Sequence, residues 1–142
     1  MLPLVLDACV LVSVTVAVHA AGLALILGGA KRRRASPPTH FLPMTRMLIR
    51  LALSLILMHL AEILVWAFFY LWRGCLPDAE AAFYFSGVTY TTVGYGELVL
   101  AKPWRVLAPI EGLTGVLMCG LSAGLFFAVV SRIYASRHKE SA

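Results

Sequence analysis

The chain has 142 residues, 61% of them hydrophobic and 13% charged, with a net charge of +5 and a mean hydropathy of +0.86. Soluble domains run at about 45–50% apolar and about 25% charged, so a soluble enzyme, a disordered tail and a disulfide-stapled secreted module are excluded. The apolar residues come in long runs, a span takes about 20 residues, and the length accommodates three spans of an all-α membrane protein with no enzymatic activity expected.

The first run, about Leu4 to Leu27, defines an N-terminal transmembrane segment over 1–30. A signal peptide is disfavoured because Asp7 stands where a basic n-region belongs and the basic cluster follows the run. That cluster opens a linker over 31–46, and Ser36-Pro37-Pro38 and Pro43 predict that its chain is not helical. The second span, 47–72, ends on Tyr70 and Trp72, aromatics suited to the headgroup boundary, and Gly74 and Pro77 stop it. Asp78 as N-cap and Glu80 in the first turn then start a short helix over 78–91, too short to cross and so re-entrant. Residues 92–96 contain two glycines and form a loop, and the third span, 103–132, opens on Pro103-Trp104. Pro109 is expected to bend that span near its start. A short tail over 133–142 leaves no room for a soluble regulatory domain in this chain.

Six of the twelve Lys and Arg residues, Lys31, Arg32, Arg33, Arg34, Arg46 and Arg50, sit in one stretch, and Arg132, Arg137 and Lys139 lie near the end. Both groups flank apolar runs, which puts them in the cytoplasm, the N-terminus outside and the C-terminus inside a cell membrane. Anionic lipid headgroups at Lys31–Arg34, rather than nucleic acid, are the expected partners of this charge. Cys9, Cys75 and Cys119 show no C-x-x-C spacing and make neither a zinc site nor a disulfide framework. Cys75, in an outer loop, is either a free thiol or half of an inter-subunit disulfide.

The chemistry concentrates in Thr91-Thr92-Val93-Gly94-Tyr95-Gly96, directly after the short helix and between two spans. A dehydrating cation needs a dense set of oxygens to replace its water, and successive main-chain carbonyls turned the same way can supply it. Gly94 and Gly96 allow the left-handed dihedrals such a strand requires, and the Thr92 hydroxyl can add the innermost oxygen. The C-terminal end of the short helix carries about half a negative charge, which favours a cation beyond it.

This string, with the short helix before it and the span after it, resembles the pore region of potassium channels, whose filter reads T-V-G-Y-G. The likeness is best over about 78–132, and the whole resembles small bacterial two-span channels with one extra N-terminal span. The resemblance implies K⁺ bound at the carbonyls of Thr92, Val93, Gly94 and Tyr95, with Gly96 closing the filter and no cofactor beyond the permeant ions. It implies a homotetramer with the pore on its axis, in a bacterial inner membrane. Phe85, Thr89, Thr91 and Glu97 would support the filter, with the Tyr95 ring braced outward against Phe85. Glu97 stands where many members have aspartate, Val88 where some have a glutamate, and Phe85 where tryptophan is common. These departures bear on filter stability more than on selectivity. Gly115 is either the hinge of the inner helix or a site of close helix packing, as are Gly120 and Gly124, which form a G-x-x-x-G.

Glu62 and Glu111 are costly in lipid and should face protein or water. His59 shares a helix face with Glu62, and His19 falls at similar depth. These residues form either a proton-sensitive cluster behind the filter or a buried polar patch that keeps helices in register. A rival use of His19 and His59, axial ligation of a haem, would make the protein an electron carrier. The leading reading is a K⁺-selective channel subunit. The alternatives are a weakly selective cation channel and an accessory membrane subunit whose filter-like loop is structural.

Overall fold

The computed structural model describes residues 2–32 and 41–140, and within them the chain is all-helical. In chain order the elements are α1 (Leu2–Arg32), α2 (Phe41–Trp72), α3 (Ala79–Tyr90), a 3₁₀ turn (Trp104–Val106) and α4 (Leu107–Glu140). Stretches Leu2–Gly29, Phe41–Trp72 and Trp104–Ala135 are long and apolar enough to cross a membrane. At 12 residues α3 reaches about 18 Å, against a hydrocarbon core of about 30 Å, so it enters without crossing. Of the basic cluster, Lys31 and Arg32 close α1, while Arg33 and Arg34 lie outside the described residues.

Two prolines behave differently from expectation, for one reason. Helix α2 starts at Phe41 rather than near Met47, with Pro43 as its third residue, so residues 41–46, expected to be non-helical, belong to the helix. Pro109 is likewise the third residue of α4. In a first turn the N–H that proline lacks has no acceptor within the helix, so helix formation is not opposed and the expected bend at Pro109 loses its cause.

Helix α3 is capped as its sequence implies. The Asp78 side chain accepts from the Ala81 N–H at 2.8 Å, and its backbone is extended, at φ −152° and ψ 176°. The core forms three tiers along the bundle. Trp66, Phe69, Tyr70, Phe85 and Leu107 fill the tier near the α2–α3 connection. Ile63, Tyr90 and Met118 form the middle tier. Leu51, Leu55 and Met58 lead the third, against Leu23, Ile26 and Leu125. Phe85 meets Tyr70 edge-on at 5.3 Å.

Polar rungs fix α1 to α2 in antiparallel register. Arg73 Nη2 donates to both carboxylate oxygens of Asp7 at 2.8 and 2.7 Å. Its guanidinium carbon lies 5.1–5.5 Å from the ring centroids of Phe69, Trp72 and Trp104. Trp66 Nε1 donates to Thr15 Oγ1 at 3.0 Å, and His19 Nδ1 meets Glu62 Oε1 at 2.8 Å. Moving along α1 from 7 to 15 to 19 moves back from Arg73, just past the end of α2, to 66 and 62 within it. Within the chain the three cysteines form no disulfide. Cys75 is half-buried, and burial pushes its thiol above the usual range against the pull of Arg73.

Helix α4 passes closest to the end of α3 at two glycines. A Cβ on Gly115 would overlap the Tyr90 carbonyl oxygen and lie 2.9 Å from its carbonyl carbon, while one on Gly112 would lie 3.3 Å from the Thr89 oxygen. Gly120 and Gly124 have nothing within 4 Å of such a Cβ. The geometry supports the packing reading of Gly115. Gly115→Ala is therefore expected to lower stability by about 1–3 kcal/mol, through forced separation of α3 and α4. Thermal unfolding in detergent micelles, with Gly120→Ala as control, tests this; a Gly115→Ala protein melting like the wild type would contradict the close approach.

Candidate functional site

The segment after α3 leaves the helix through a tight turn. Thr91 N–H bonds Gly87 O at 3.1 Å, Thr92 N–H bonds Thr89 O at 3.0 Å, and Gly94 N–H reaches back to Val88 O at 3.0 Å. The Thr91 hydroxyl also donates to Gly87 O, at 2.7 Å. Beyond this turn φ is positive at Thr92 (61°), Gly94 (51°) and Gly96 (82°), and at neither residue between them. A strand turns successive carbonyls to opposite sides; a backbone alternating in the sign of φ can turn them to one side. Glycine takes these angles freely, but a β-branched threonine does not, so Thr92 is held there by its surroundings.

The whole stretch from Thr91 to Glu97 is exposed on the single chain, Val93 at 51% and Tyr95 at 69%. A groove beside it is lined by Val88, Thr89 and Thr92 on one side and Gly112, Leu113 and Val116 of α4 on the other. Along α4, Leu113, Val116, Leu117 and Leu121 continue the same uncovered apolar character. The expected brace between Tyr95 and Phe85 is not formed within the chain. Phe85 is buried against Tyr70 instead, because the α2–α3 packing claims its ring. Glu97 lies beside Tyr84, whose phenol is pushed above its ordinary range by burial and then by that carboxylate. Tyr84 carried no signal in the sequence beyond its place in an apolar helix.

Two fully buried carboxylates stand behind this segment, one on each flanking helix. On α4, Glu111 Oε2 accepts from the Tyr70 hydroxyl at 2.7 Å, and its Oε1 lies 2.5 Å from Ser86 Oγ. Ser86 Oγ is also 2.9 Å from the Ile63 carbonyl. A serine has one proton to give, so it cannot serve both acceptors. All partners are satisfied when Glu111 carries a proton and gives it to Ser86, which then donates to Ile63. A neutral carboxyl also avoids an unpaired charge in the membrane interior.

On α2, Glu62 gathers a second set. His19 Nδ1 lies 2.8 Å from Oε1 and His59 Nδ1 3.2 Å from Oε2. The Tyr90 hydroxyl donates to Oε2 and also lies 3.0 Å from His59 Nδ1. His19, His59, Glu62 and Tyr90 are therefore one cluster, whereas Glu111 belongs to the other. The two rings lie 5.6 Å apart, tilted at 42°, with both Nδ1 atoms turned onto one carboxylate. Haem ligation requires nitrogens facing each other across an iron, which this arrangement does not offer. Tyr70, expected at the headgroup boundary, is instead fully buried with its hydroxyl on Glu111, and Ser86 and Tyr90 were not singled out by the sequence. Their signal was faint: Ser86 and Tyr90 stand one helical turn apart on α3 and so share a face.

The family model described as "Ion channel" matches residues 56–132, more than half of the chain. No curated protein and no solved structure matches it.

The proton count at Glu111 generates a stability test. Glu111→Gln supplies an NH₂ to Ser86 and a carbonyl to Tyr70, so its stability should stay within about 1 kcal/mol of wild type. Glu111→Ala strands the buried Tyr70 hydroxyl, while Ser86 keeps the Ile63 carbonyl, and should cost about 1–3 kcal/mol for the one group left unsatisfied. Unfolding midpoints of the purified variants distinguish these outcomes; equal losses in both would argue for a buried carboxylate.

Proposed function

Since the chain belongs to the ion channel family, we propose that it is one subunit of a homotetrameric, potassium-selective channel that conducts K⁺ passively through a filter built from residues 92–96. The observation that carries this reading is the alternation of φ at Thr92, Gly94 and Gly96, on a loop presented by a re-entrant helix between two spans. Such a backbone lets the carbonyls of Thr92, Val93, Gly94 and Tyr95 replace the ion's water.

One chain supplies one strand of oxygens, and a closed ring needs several around an axis. The uncovered apolar face along Val93, Tyr95, Leu113 and Val116 supports burial of this side against neighbouring copies. Helix α3 would aim its negative C-terminal end at a central cavity, steadying a cation part-way across. The basic segments after α1 and at the end of α4 would lie in the cytoplasm, with the N-terminus outside a cell membrane. Anionic headgroups would meet the cluster at 31–34.

Reconstitution into liposomes tests the proposal. The wild type should take up radiolabelled Rb⁺, be blocked by Ba²⁺ and exclude Na⁺, with an oligomer mass of four chains. Gly94→Ala or Gly96→Ala places a Cβ at a left-handed position and should abolish that uptake. Equal Na⁺ and Rb⁺ uptake would instead indicate a weakly selective cation channel. A monomeric protein without flux would indicate an accessory subunit.

A further inference from the structure

We propose that His19, His59 and Glu62 form a binding site for a divalent transition-metal cation of the zinc class, one per chain, bridging the first span and the second. Two imidazole nitrogens and one carboxylate are a donor set that suits zinc, cobalt and nickel better than magnesium or calcium. The three donor atoms all lie within 4.8 Å of one another. Tetrahedral zinc, with bonds of about 2.0–2.1 Å, holds its donors about 3.3 Å apart. His19 Nδ1 lies 2.8 Å from Oε1 of Glu62 and His59 Nδ1 3.2 Å from Oε2, two different oxygens, each close to that spacing.

One further feature points to a cation here. A carboxylate inside a span needs a positive partner, and the ion pairs of Glu62 among the described residues are with histidines alone. Glu62 is fully buried and His19 is 2% exposed, so bulk water does not compete for these donors.

The Tyr90 hydroxyl touches both His59 and Glu62, so its oxygen stands next to the open fourth position. The His59 side chain is 17% exposed, which leaves a route for the ion. A metal bound here joins α1 to α2 and, through Tyr90, to the last residue of α3. The site does not depend on which ion the protein conducts, so its test stands apart from the flux assay.

The test uses the full chain in detergent micelles, with His40→Gln and His138→Gln removing the remaining two of its four histidines. Titration with Co²⁺ should give the visible d–d bands of a low-coordinate site, saturating at one equivalent per chain. Zn²⁺ should displace the Co²⁺ and raise the unfolding temperature. His19→Ala and His59→Ala should each weaken binding more than about tenfold, since even partners outside the ligand shell cost about 10–100-fold. X-ray absorption of the Zn²⁺ form, which needs no ligand variant, should show nitrogen and oxygen donors and no sulfur. The proposal is overturned if the wild type shows no saturable binding, which leaves a proton as the cluster's cation. It is equally overturned if binding survives both substitutions, or if sulfur appears in the shell and moves the site to a cysteine.

Discussion

The arrangement rests on how a short helix is held inside a membrane without crossing it. Helix α3 is too short to be anchored at two interfaces, so its position must come from neighbouring protein. Two buried acidic side chains, Glu62 on α2 and Glu111 on α4, bond to the hydroxyls of Tyr90 and Ser86, one helical turn apart on α3. Away from water, a hydroxyl or carboxyl without a partner is costly, so each bond is enforced by the lack of any alternative. Directional bonds of this kind set depth and rotation together, which apolar packing alone does more loosely.

The geometry of the loop follows from that anchoring. Tyr90 is the last residue of α3, and its carbonyl sits against Gly115 while that of Thr89 faces Gly112. The end of α3 is thus pinned from the α2 side through a hydroxyl and from the α4 side by direct contact with backbone. Thr92 takes a left-handed φ only two residues further on. Such strain at a β-branched residue persists where the surroundings leave no alternative. The same pinning bears on the alternatives for α4: a glycine wedged under a carbonyl is suited to holding two helices at fixed separation.

Much of this was legible in the sequence, and the failures have definite causes. Long apolar runs announced three spans, and Asp78 with Glu80 announced the start of α3, because hydropathy and capping are local. The cost of a charge in lipid marked Glu62 and Glu111 as residues needing partners. It did not say which partners, since Tyr70 with Glu111 and His19 with Glu62 meet across separate helices whose rotation no periodicity specifies. Pro43 and Pro109 misled because proline was read as a breaker, although in a first turn it removes no helical bond. Phe85 was matched with Tyr95 through the resemblance, while within the chain the α2–α3 contact holds it against Tyr70.

The first span remains to be accounted for, and its contacts argue against a passive anchor. A helix that only tethered the chain would meet its neighbours through apolar surface, because lipid and leucine are equivalent surroundings. Instead α1 presents Asp7, Thr15 and His19 along the stripe that faces α2, each with a bonded partner. Three polar rungs at matched spacing exclude a shift of register, since a slip of one turn would leave polar groups unpaired in an apolar medium. The deepest rung ends on Glu62, the carboxylate that also holds Tyr90. Any force that moves α1 along its axis therefore acts on the end of α3 through two bonds, and the span is built into the support of the loop that follows.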